Sequence, residues 1–137
     1  MTESKTERLE LSEEETKEYI RLSNRVARSA HLNSRNKGFW EAPKCIDANC
    51  NVEQPRNKGE MLALIHSEIS EALEAVRKNV NAPDKHCPEY TGLAIELADA
   101  IIRIYDFAAG FGLPVNEALV AKMAFNVTRP HKHGKKF

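Results

Sequence analysis

Two stretches of this chain constrain its fold more than anything else in it. In residues 60–78, Leu62, Ile65, Ile69, Leu73 and Val76 recur at steps of three and four. In residues 91–109, Leu93, Leu97, Ile101, Ile104 and Ala108 form one such stripe, and Ile95, Ala98, Ile102, Tyr105 and Ala109 form a second. That period belongs to an α-helix, and a helix apolar on two faces belongs inside a bundle or at a subunit interface. Each stretch also carries two acids at i, i+3 spacing in its middle: Glu68 with Glu71, and Glu96 with Asp99. Side chains three apart leave a helix from one face.

Two further helices are expected. One runs from about Glu13 to Leu32, opened by Ser12 and Glu15 at capping-box spacing and carried by Tyr19, Leu22, Val26 and Ala30. The other starts near Pro114, continues through Val115, Leu119, Lys122, Met123 and Asn126, and stops before Pro130. No segment alternates as a strand would. The expectation is an all-α protein, a bundle of four main helices, in one domain spanning residues 1–137. Residues 1–11 are expected to be a flexible N-terminus, 33–59 a long loop and 129–137 a basic tail. A long loop in a small domain is often functional.

The composition excludes several classes. The formal charge is zero over 137 residues, which argues against a stable nucleic-acid partner despite Arg129, Lys132, Lys135 and Lys136 near the end. No apolar run is long enough to span a membrane. The opening MTESKTERLELSEEE lacks the apolar centre of a secretory signal, so a cytoplasmic location is the expectation. Three cysteines do not suggest a disulfide framework. Cys45, Cys50, His86 and Cys87 together have the donors of a zinc site, but no CxxC pair supports it over free thiols.

The four acids carry the chemistry. An ExxE or ExxD pair usually marks a solvated face. Two pairs inside strongly apolar helices are different, because carboxylates gathered there repel unless a cation joins them. Oxygen ligands select a hard ion, Mg2+ or Mn2+.

GEMLALIHSEISEALEA, IELADAIIRIYDFA and KMAFNVTRPHKHGKKF resemble the MazG-like all-alpha nucleoside triphosphate pyrophosphohydrolases over about residues 57–136. The resemblance implies that Glu68, Glu71, Glu96 and Asp99 are metal ligands and that Glu71 and Glu68 are catalytic. It also implies that Lys122 and Asn126, in a KxxxN pattern, contact the triphosphate. The implied reaction is hydrolysis of a (d)NTP to the (d)NMP and pyrophosphate, by a metal-activated water at the α-phosphorus. Homodimers or homotetramers are implied, completing the bundle. Many members carry a further acid where this chain has Ser67, which leaves the number of ions open.

The remaining candidates come from residue chemistry. Arg129 stands close enough to the end of the fourth helix to hold phosphate. Phe39 and Trp40, the latter the single tryptophan, either plug a core edge or offer a surface for a base. Trp40 is expected at the nucleoside end of the pocket, with His66 as a polar contact. Arg103 and Asp106 have the spacing of an ion pair on one helix. Two other readings use the same carboxylates: a phosphoribosyl-ATP pyrophosphohydrolase-like enzyme, and a non-catalytic helical interaction module.

Overall fold

The computed structural model describes residues 11–41 and 56–134. Among these the chain is all-α. Its helices are α1 (Glu13–Asn36), α2 (Lys58–Asn79), α3 (Gly92–Gly110) and α4 (Val115–Val127), followed by a 3-10 turn at His131–Gly134. The described residues contain no strand, only an isolated bridge between Pro83 and Thr91. Cys45 and Cys50 lie outside the described residues, as do the first ten residues, Lys135 and Lys136. Cys87 is a half-buried free thiol. No described helix is long and apolar enough to cross a membrane.

Local chemistry sets the helix starts. The Ser12 backbone N–H donates to Glu15 Oε2 at 2.8 Å, and the Glu15 N–H donates to Ser12 Oγ at 3.1 Å, which is the reciprocal capping box. Those bonds hold the Glu15 carboxyl below its usual range. Asn57 caps α2 by accepting from the Glu60 N–H at 3.0 Å, and Thr91 caps α3 by accepting from the Ala94 N–H at 3.2 Å. The α3 end turns at Gly112, whose φ of +67° suits glycine, and the Leu113 N–H reaches back to the Ala108 carbonyl at 2.8 Å.

The expected loop at 33–59 is shorter at both ends. Helix α1 continues past Leu32 to Asn36 and stops at Gly38, whose φ is +84°. Asn, Ser and Arg tolerate a last helical turn, and periodicity ends earlier than the helix because nothing apolar marks that turn. Helix α2 begins two residues before the expected Glu60 because Asn57 caps it.

The described residues fall into two compact units, each treated by itself. Residues 26–114 hold the last part of α1 with α2 and α3, and α2 packs on α3. The apolar side chains buried here are small or slender: Ala27, Met61, Ala72, Ala100 and Ala108. Small side chains at a contact let helix axes approach closely. The large members of the expected stripes are not buried among the described residues. Leu62, Ile69, Leu73 and Val76 on α2, with Leu97, Ile101 and Ile104 on α3, are exposed. Periodicity locates an apolar face and does not say what covers it.

The other unit joins the residues up to Arg25 with those from Val115 on. Its fully buried side chain is Asn116, whose Nδ2 donates to Asn24 Oδ1 at 2.8 Å. Asn24 Nδ2 in turn donates to Glu117 Oε1 at 2.8 Å. A buried amide is tolerated because this chain of bonds satisfies it.

Candidate functional site

Helices α2 and α3 bring carboxylates from both motifs together. One oxygen each from Glu68, Glu96 and Asp99 lies within 4.8 Å of the others. Oxygens around a hard cation sit about 2.0–2.6 Å from it, so oxygens on opposite sides are about 4–5 Å apart. The trio fits that spacing with oxygen donors alone. Glu68 is 6% exposed, and Glu96 and Asp99 are half-buried.

Glu71 departs from the expectation. It is exposed on α2 and does not belong to the trio. The same i, i+3 spacing keeps Glu96 and Asp99 together in the trio, so the spacing does not account for the place of Glu71 outside it. Glu71 is still close enough for its charge to act on Glu96.

The electrostatics follow from this crowding. Burial pushes the Glu96 carboxyl above its usual range, and the charges of Glu71, Glu68, Asp99 and Asp84 push it further. Burial also raises Asp99, helped by Glu68 and Asp84 and opposed by Arg103. Arg103 Nε donates to Glu68 Oε1. The expected Arg103–Asp106 pair is therefore not what forms, since Arg103 reaches across to α2 instead.

Asp106 has a different role. It is 7% exposed and gathers donors from three segments. His31 Nδ1 lies 2.8 Å from Oδ1, Trp40 Nε1–H donates to Oδ1 at 2.8 Å, and Ser34 Oγ–H donates to Oδ2 at 2.7 Å. The Arg56 guanidinium is 3.9 Å from Oδ2. The late turns of α1, the residues after it and the start of α2 are thus tied to the middle of α3. From the sequence, Asp106 is expected to pair with Arg103 or to contact substrate, and the hub it forms is neither. His31, Ser34 and Arg56 carried no spacing signal that could find them.

An open cleft of about 300 Å3 runs from the acids to this hub, with Glu68, Asp99 and Arg103 on its lining together with Phe39, Arg56 and Asp106. That volume is at the lower end for small-molecule sites.

No family model, curated protein or solved structure matches this chain.

The resemblance in the motifs thus rests on the motif residues themselves, and the site is described by its own geometry. Trp40 is half-buried, edge-on to His31 at 4.8 Å between ring centroids and tilted against Phe111 at 5.4 Å. Its indole N–H is spent on Asp106, and it is Phe39, 63% exposed, that lines the cleft. His66 is exposed on α2 and does not line the cleft. Ser67, between His66 and Glu68, turns its hydroxyl back to the Leu64 carbonyl at 2.7 Å.

Lys122, Asn126 and Arg129 belong to the other compact unit. Lys122 and Asn126 are exposed and Arg129 is half-buried. The Lys122 ammonium lies 4.7 Å from the centre of the Phe125 ring.

Proposed function

We propose that this protein is a magnesium-dependent nucleoside triphosphate pyrophosphohydrolase that releases pyrophosphate and a nucleoside monophosphate. The observation that supports it best is the trio of Glu68, Glu96 and Asp99, raised in pKa at Glu96 and Asp99, with Glu68 and Asp99 lining a cleft. Three converging carboxylates with one guanidinium partner keep a net negative charge that a hard divalent cation relieves. Mg2+, or Mn2+ in its place, would be held by these three residues. When bound, such an ion lowers the pKa of water and offsets charge on phosphate oxygens.

The chain's own groups supply the rest. Arg103 holds the Glu68 carboxylate in one orientation, which presents its other oxygen to a ligand. Glu71, exposed and outside the trio, is the carboxylate left to take the proton of the attacking water at one of its oxygens. Lys122 and Asn126 are proposed for the triphosphate on the strength of the motif resemblance, and Arg129 on its charge just beyond α4. Trp40 and His66 remain proposed nucleoside contacts on their residue chemistry alone, Trp40 by way of its ring and not its N–H.

The exposed apolar residues of α2 and α3 support a homodimer or homotetramer, because those side chains are exposed among the described residues. The deciding experiment is a panel of (d)NTPs with Mg2+, assayed separately for pyrophosphate and orthophosphate. Pyrophosphate release that EDTA abolishes is the expected result. No release from any member would reject the reading in favour of a non-catalytic helical module.

A further inference from the structure

Arg56 stands immediately before the Asn57 cap of α2, so a helix start anchors its backbone. Its side chain is 19% exposed and lies against two aromatic rings, 6.0 Å from the centre of Phe39 and 5.5 Å from that of Trp40. Rings in that position restrict the guanidinium and strip part of its hydration. Asp106 Oδ2, at 3.9 Å, attracts the charge but is beyond hydrogen-bond distance. Among the described residues the partners of Arg56 are Asp106 and the two rings, and none of them takes up its N–H fork.

Arg56 also lines the cleft that holds Glu68 and Asp99. Arg103 lines it too, but its Nε is engaged by Glu68. Arg56 thus donates no hydrogen bond to any described residue, whereas Arg103 has its Nε committed to Glu68. A planar fork of N–H donors matches two oxygens of a phosphate group, and a lysine does not.

We propose that Arg56 is a ligand-binding residue of the cleft, donating to a phosphate oxyanion, and that Asp106 is the positioning residue that holds it there. The identity of the phosphate as part of a nucleoside triphosphate rests on the function proposed above. A metal-bound phosphate chain would meet the carboxylate trio through its cation and Arg56 through its oxygens. Phe39 and Trp40 keep the guanidinium plane from folding away.

The test measures binding of inorganic triphosphate in Mg2+ by titration calorimetry to wild type, Arg56→Gln and Arg56→Lys. Manganese affinity by electron paramagnetic resonance and thermal melting are followed in parallel. Expected are at least tenfold weaker triphosphate binding in Arg56→Gln, an intermediate loss in Arg56→Lys, and manganese affinity within about twofold of wild type. Asp106→Asn, which keeps the shape but removes the charge, should weaken triphosphate binding and leave manganese affinity in place. Folded Arg56→Gln that binds triphosphate like wild type overturns the proposal, and so does a wild type that binds none. Pyrophosphate release from nucleotides separates the two readings. If wild type and Arg56→Gln turn over equally, the enzyme stands and Arg56 falls. If wild type binds triphosphate through Arg56 but releases no pyrophosphate, the enzyme falls and the oxyanion contact stands.

Discussion

Trp40 donates its indole N–H to Asp106 Oδ1 at 2.8 Å, fastening the chain just beyond α1 to a buried carboxylate in α3. The same oxygen faces His31 Nδ1, and the other oxygen faces Ser34 and Arg56. A buried carboxylate with this many donors is an organising centre, and its removal strands all of them.

Asp106→Ala should therefore be among the most destabilising single changes in the chain. Breaking a buried charged network by removing one partner costs about 3–5 kcal/mol. Trp40→Phe keeps most of the ring packing and removes one donor, for a loss of about 1 kcal/mol. Urea unfolding of both variants measures the difference. Equal losses would mean that ring packing, and not the carboxylate, governs this region.

Gly110→Ala tests the other side of the indole. A Cβ on Gly110 would overlap the six-membered ring of Trp40. The ring cannot yield without straining its bond to Asp106, so a loss of about 1–3 kcal/mol is expected, as in other overpacked sites. Emission from the single tryptophan should shift to the red as the ring is displaced. An unchanged spectrum with unchanged stability would refute the close packing.

Glu96 gives a pH dependence with a defined sign. Its carboxyl is raised above the usual 4.5 by burial and by neighbouring acids. The native state then binds the proton more tightly than the unfolded state, so ionising Glu96 costs stability as pH rises from its unfolded pKa through the raised native one. Glu96→Gln should melt higher than wild type at pH 7 without divalent ions, and the two curves should converge below about pH 4. Saturating Mg2+ should stabilise wild type and narrow or reverse the gap. A gap that widens on acidification would contradict the crowding.

The trio and Glu71 separate by readout. Asp99→Asn should lose at least tenfold in manganese affinity and most turnover. Glu71→Gln, outside the trio, should keep more of the manganese affinity while turnover falls as far. If Glu71→Gln is fully active, Glu71 is a solvated surface acid and has no part in proton transfer.

The exposed faces of α2 and α3 predict self-association. Light scattering should give at least a dimer at micromolar concentration, and Leu73→Glu or Ile101→Glu should shift it toward the monomer. A wild type that is monomeric throughout would reject this.

Much of the architecture is legible in the sequence. Apolar steps of three and four determined that α2 and α3 are helices, and short-range caps at Ser12 and Glu15 determined where α1 begins, because both depend on residues within a turn or two of one another. The i, i+3 acids determined that Glu68 and Asp99 belong to candidate metal-binding faces. Only the tertiary structure decided the rest. Whether an acid converges depends on rotation and distance between two helices, which drew in Glu68, Glu96 and Asp99 and left Glu71 outside. The partners of Asp106 lie 66 to 75 residues away along the chain at Trp40, Ser34 and His31, and no local period encodes a contact at that separation. Arg56 and Phe39 reached the cleft for the same reason: their neighbours are set by packing between segments, whereas a sequence pattern reports only the neighbours along one helix.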